Sequence, residues 1–234
     1  MGNRKQAGVT LLELLVAITI VSLLATTALF AWRVGVSGWE KASTQLEHDQ
    51  TVLAVHELLT RQIASMTPYQ APSERGGQVM FFQGEAETAR FVSRHSLRER
   101  AASGLYLVEY HVTEQADGTR QLVLQEKPVA GTEELAARVA GIEAESGVMR
   151  VRFQPFARGS EAVVLLEGLR ECRLEYYQGP TPGRPGAWTS EWIGNANEVP
   201  TAMRIRATGR EDSGDLEPVT ITVMVRNHAR RQPR

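Results

Sequence analysis

The sequence predicts an α+β protein, a long N-terminal hydrophobic and amphipathic helix packed on antiparallel β-sheets. Three observations carry that expectation. Residues 9–32 form an apolar run of 24 positions in which Glu13 is the only charge. Residues 41–66 then repeat apolar side chains at spacings of three and four, the period of one helix face. Beyond Pro68, short runs rich in alternating apolar residues are separated by turn-forming ones. A helix first and strands afterwards is the order of an α+β chain.

The first element is long enough to cross a bilayer. At about 1.5 Å per residue, 24 helical residues extend roughly 36 Å against a hydrocarbon core of about 30 Å. A secretory signal would have a shorter apolar region ending at a small-residue cleavage site. Here Ala25, Thr26, Thr27 and Ala28 are followed by more apolar sequence. A simple signal anchor accounts for Arg4 and Lys5, which hold the N-terminus in the cytoplasm. It does not account for Glu13, since a carboxylate at the centre of a membrane helix costs about 2.5–3.5 kcal/mol and normally has a partner.

Trp32 and Trp39 flank Gly35 and Gly38, where the helix is expected to loosen near an interface. The next stretch reads as an amphipathic stem, with Val52, Val55, Leu59, Ile63 and Met66 forming one stripe that should cover a sheet. Thr67-Pro68 ends it, because proline disfavours helix at the preceding residue. Strands are expected at 79–82, 89–92 and 104–113, the last with both faces covered, and Asp117-Gly118 marks a hairpin turn into 119–125. A short helix is expected at 133–139, then strands at 149–153, 162–166, 172–177, 203–207 and 219–225. The Gly- and Pro-rich segment 179–186 is irregular.

Composition narrows the chemistry. The 234 residues carry a net charge of −1, so nothing points to nucleic acid as a partner. The single cysteine, Cys172, excludes an intrachain disulfide and a multi-cysteine zinc site, and reads as a small core residue. The five histidines show no i, i+4 pair, and His48 and His56 read as solvated helix residues rather than metal ligands. Neither a Gly-x-Ser-x-Gly elbow nor a phosphate-cradling glycine loop is present. Asp212-Ser213-Gly214-Asp215 lacks the spaced ligands of a calcium loop and reads as a solvated turn. The basic tail, 226–234, reads as a soluble end, with an electrostatic contact to an acidic partner as the second reading. No catalytic residue, cofactor or metal is expected.

The leader Arg4-Lys5-Gln6-Ala7-Gly8, followed by Val9-Thr10-Leu11-Leu12-Glu13, resembles the N-terminal signature of type IV pilins and type II secretion pseudopilins. The resemblance implies cleavage by a prepilin peptidase between Gly8 and Val9, which makes Glu13 the fifth mature residue. In that family the glutamate of one subunit pairs with the new α-amine of its neighbour. Val9 stands where the family most often has Phe.

Further along, residues 165–177 end in Tyr176-Tyr177, then comes a loop carrying Trp188 and Trp192, then Val199-Pro200-Thr201-Ala202-Met203. That order resembles the J-type minor pseudopilin of the type II (general) secretion system. The middle of the chain, 67–160, carries no motif of that kind. The resemblance implies a prepilin leader over 1–8, a transmembrane and assembly helix over 9–32, an amphipathic stem over 33–66 and a β-rich domain over 67–234.

It further implies a non-enzymatic, single-pass protein of the bacterial inner membrane with its C-terminal domain in the periplasm. The implied partners are the I- and K-type minor pseudopilins at the tip of a pseudopilus that supports export of folded proteins. A minor pilin of a type IV pilus shares the same signature, and a membrane-anchored binding module is the remaining alternative. Trp188 and Trp192 read first as packing against the sheet and second as a partner contact.

Overall fold

The computed structural model describes residues 10–72, 78–97, 104–145, 148–192, 198–209 and 218–226. Gly8, Val9, the 212–215 turn, His228 and the tail beyond Arg226 lie outside the described residues. The chain divides into two units, Met1–Val52 and Leu53–Arg234. A single helix, α1 (Leu11–Ala64), contributes to both. It runs through Gly35 and Gly38 without interruption, so the expected loosening is not seen. Each glycine costs about 1 kcal/mol in a helix interior, and the flanking residues carry that cost. The helix stops at Ala64, two residues before the expected end, and Met66 instead forms an isolated β-bridge with Ser93.

The second unit is built on an antiparallel sheet. Its longer strands are β4 (Thr88–Ser93), β5 (Tyr106–Glu114), β6 (Arg120–Pro128), β9 (Val163–Gln178), β11 (Ala202–Gly209) and β12 (Val219–Met224). With the short β3 (Gln83–Gly84) at one end, the order is β12-β11-β9-β6-β5-β4-β3, and β10 (Ala187–Thr189) pairs with β9 off this path. The Asp117-Gly118 turn between β5 and β6 is present: Gly118 has φ 77°, and Asp117 Oδ1 accepts from the Thr119 amide at 2.9 Å.

The helix stripe covers one face of this sheet, as its spacing predicts. Val55, Leu58, Leu59, Ile63 and Met66 share a core with Phe91, Val108, Tyr110, Leu122, Leu124, Leu174, Met203 and Ile205. A polar pin fixes the packing. Gln62 Nε2 donates to Glu126 Oε1 and the Tyr110 hydroxyl donates to Gln62 Oε1, with Ser93 Oγ donating to the Gln62 carbonyl at 2.9 Å. Ser96 Oγ and the Leu97 amide complete the Glu126 carboxylate at 3.0 Å each.

The opposite face has its own apolar cluster of Ala71, Phe81, Val92, Leu107, Leu135 and Val139. It is closed by a ribbon of β1 (Gln70–Pro72) and β2 (Gln78–Met80), the short α2 (Thr132–Ala136), and a second ribbon of β7 (Val139–Glu145) and β8 (Val148–Phe153). Burial of every residue from Tyr106 to Val112 follows from this double covering.

Four further expectations are corrected. The strand expected at 79–82 ends at Met80, because Phe81 and Phe82 leave the ladder to fill the two different cores. The helix expected at 133–139 is shorter, since Val139 already opens β7. The strands expected at 162–166 and 172–177 are one strand, β9; Gly168 takes φ 66° and absorbs the irregularity, so the first half pairs with β6 and the second with β11. Trp188 lies in β10 rather than in a loop. A close approach demands glycine at position 84: a Cβ there would lie 2.8 Å from Trp192 Cβ and 2.9 Å from the Tyr176 ring.

Candidate functional site: the N-terminal helix and the polar layer of the sheet

Glu13 sits in the first turn of α1. Thr10 is the residue just before the helix, and its Oγ1 accepts from the Glu13 amide at 3.3 Å while its carbonyl accepts from the Glu13 and Leu14 amides at 3.1 and 3.2 Å. Thr10 is therefore the N-cap and Glu13 is the third helical residue, the threonine-x-x-glutamate spacing of a capping box. A carboxylate at this position also faces the positive end of the helix dipole. Thr10 was missed in the sequence reading, although the Thr10-x-x-Glu13 spacing signals it. The scissile bond expected at Gly8 and Val9 lies outside the described residues, so Glu13 is the one expected site residue with a described geometry.

The described surface of this unit is otherwise mostly apolar. Thr19, Thr26 and Thr27 each donate back to a carbonyl three or four residues earlier, at 2.6–3.0 Å. Leu11, Leu12, Leu23, Leu29, Phe30 and Trp32 are all exposed by two-thirds or more. Leu11–Val36 is long and apolar enough to cross a membrane. So much contiguous apolar surface needs lipid or other helices around it.

The second polar assembly lies within the sheet, on the face away from the helix stripe. Arg90 of β4 and Glu109 of β5 oppose each other across the ladder, both side chains 1% exposed, with Arg90 Nε 2.8 Å from Glu109 Oε1. They meet as an ion pair outside hydrogen-bond geometry. Arg90 Nη1 donates to Gln83 Oε1 at 2.9 Å and to the Gln154 carbonyl at 2.6 Å. Gln125 Nε2 donates to Glu109 Oε2 at 3.3 Å, and Gln125 Oε1 in turn accepts from the Gly159 amide at 2.8 Å.

These bonds tie segment 154–159 over the sheet. Burial pulls the Arg90 pKa down and the Glu109 carboxylate pushes it back, so the guanidinium stays charged. Beside them His111 stacks on Phe156 at 3.5 Å, and Thr88 Oγ1 lies 3.2 Å from its Nδ1. This layer escaped the sequence reading because a charge inside a short strand, as at Arg90, reads as solvent-facing. Among the described residues, no group of three or more His, Cys, Asp or Glu side chains is placed to hold a metal ion.

Both tryptophans pack on the second unit. The Trp188 ring lies 5.2 Å from Tyr177, with the Arg204 guanidinium 4.2 Å above it. Trp192 meets Phe82 edge-on at 6.2 Å and its Nε1 donates to the Glu198 carbonyl at 3.3 Å.

The prokaryotic N-terminal methylation motif matches residues 3–29 of this chain. No curated protein matches it. The N-terminal segment is thus pilin-like, of the kind found in type II secretion and type IV pilus proteins, and the motif implies processing by a prepilin peptidase, membrane anchoring and filament assembly.

Proposed function

We propose that the protein is a structural minor pseudopilin of a type II secretion system, of the J type. It anchors in the inner membrane with its β-rich domain, residues 67–234, in the periplasm, loses residues 1–8 to a prepilin peptidase, and joins the I- and K-type minor pseudopilins at the pseudopilus tip to support export of folded proteins. The observation that carries this reading is the methylation motif over 3–29, set on an exposed apolar helix in which Glu13 is the only charge up to Trp32. The J-type assignment is supported by β9 ending in Tyr176-Tyr177, followed by Trp188, Trp192 and the Val199-Pro200 lead into β11. A minor pilin of a type IV pilus rests on the same N-terminal observation, so that alternative stays beside the first.

The test is the intact mass and N-terminal sequence of the protein from membranes, with and without the prepilin peptidase. The expected result is a mature start at Val9 that depends on the peptidase. A chain that keeps residues 1–8 in both strains overturns the reading. Deletion of the gene then separates the two systems: loss of exoprotein from the medium supports secretion, and loss of surface pili supports the alternative.

A further inference from the structure

A groove of about 520 Å³ opens in the second unit where α1 ends. Its floor is apolar, made by Ala64, Met66 and Pro68, with the hydroxyls of Thr60, Ser65 and Thr67 beside it. Its rim is basic and comes from three elements: Arg61 on the last turn of α1, Arg94 and His95 just past β4, and Arg226 just past β12. Cations near a helix C-terminus commonly do no more than neutralise the terminal carbonyls. Here that work is done by other groups. The Arg61 carbonyl accepts from the Ser65 amide and hydroxyl, the Gln62 carbonyl from Ser93 Oγ, the Ile63 carbonyl from the Met66 amide and the Ala64 carbonyl from the Arg226 amide.

The guanidinium groups are therefore uncommitted to the helix end. Arg61 pairs with Glu57, whereas Arg94 and Arg226 have no carboxylate partner among the described residues. In a chain of net charge −1 this is a local excess of positive charge, and the sequence just past Arg226 adds Arg230, Arg231 and Arg234.

We propose that this groove docks an acidic, carboxylate-bearing segment of a partner protein. Guanidinium forks match carboxylates in a paired geometry, and the Met66–Pro68 floor takes an apolar side chain from the same segment. An indented site with hydroxyls inside it fits a peptide better than a flat headgroup surface. The docking is independent of how the N-terminus is processed.

The test uses the full chain in neutral detergent. The probe is a fluorescent heptapeptide, Asp-Glu-Gly-Leu-Glu-Ser-Asp, with four carboxylates around one leucine in an order that does not occur in this chain. Its amide counterpart, with Gln and Asn in place of the acids, is the control. Expected is binding of the acidic peptide at least about tenfold tighter than the control, and a loss of about tenfold in the double variant Arg94→Gln/Arg226→Gln. Arg158→Gln/Arg184→Gln, which removes two exposed arginines elsewhere, should leave binding unchanged. The labelled methyl of Met66 should shift on binding in the NMR spectrum.

Equal affinity for the two peptides, equal loss in both double variants, or a Met66 resonance that does not move overturns the proposal. Displacement of the peptide by short-chain phosphatidylglycerol, but not by short-chain phosphatidylcholine, also overturns it and assigns the groove to anionic lipid. Protection of Cys172 from thiol reagents checks that each variant is folded.

Discussion

His111 is 4% exposed, and its Nε2 has no hydrogen-bond partner. Burial, the larger cause, and the nearby Arg90 charge push its pKa down to about 3. An unfolded histidine titrates near 6.5, so between about 6.5 and 3 the unfolded chain binds a proton that the folded chain refuses. Stability from this residue is present above pH 6.5 and is lost on acidification, at up to about 1.4 kcal/mol per pH unit once the unfolded state is protonated. His111→Gln keeps a polar group near Thr88 and removes the titration. Its urea midpoint should fall less steeply than that of the wild type between pH 7 and pH 5. Parallel curves for the two proteins would show that His111 is not buried as a neutral base. Arg90, whose charge acts on His111, and its ion-pair partner Glu109 are 19 positions apart in a segment without a recognisable motif. Glu13 was legible because a lone charge in an apolar run is costly; Arg90 was not, because a charge inside a short strand reads as ordinary solvent exposure.

At the scale of elements, periodicity revealed what one covering layer imposes and failed where two layers compete. The stem stripe of α1 and the alternation of β12 each face a single core, and the structure buries Leu59, Ile63, Ile221 and Val223 accordingly. β2, α2 and β7 lie on the second covering layer, and there the boundaries moved. The gap expected between strands 162–166 and 172–177 is bridged at Gly168 within β9, since a left-handed residue lets a strand bend without ending. The stem can be tested one residue at a time. Leu59 is fully buried and Leu53, six residues earlier, is 69% exposed. Leu59→Ala should destabilise the second unit by about 2–5 kcal/mol, and Leu53→Ala by less than about 0.5 kcal/mol. Cys172 supplies the readout, because it is fully buried in the same core and burial raises its pKa to about 12. Its thiol should resist alkylation at pH 8 in the wild type, resist it in Leu53→Ala, and react measurably faster in Leu59→Ala. Equal labelling rates for the two variants would remove the stem from the core.

For the molecule as a whole the deciding question is whether Glu13 serves its own helix or another subunit, and the two roles differ in magnitude and in chemistry. As the third residue of a capping box it contributes about 1 kcal/mol, and glutamine serves in that position as well as glutamate. As half of a buried intersubunit pair with the α-amine released by cleavage, its loss leaves the amine uncompensated at a cost of about 3–5 kcal/mol, and glutamine cannot substitute. Glu13→Gln therefore separates the roles where Glu13→Ala confounds them. Under the pairing reading, Glu13→Gln inserts and is cleaved, keeps Cys172 protected, and fails to enter the filament. Glu13→Asp retains the charge and is milder. Thr10→Val removes the threonine side of the cap that the structure shows at 3.3 Å and should cost only the smaller amount. The measurement is the amount of mature protein that cross-links to neighbouring subunits in intact cells, with export scored alongside. If Glu13→Gln assembles like the wild type, the carboxylate's charge is dispensable, and its conspicuous place in the apolar run is explained by helix capping alone.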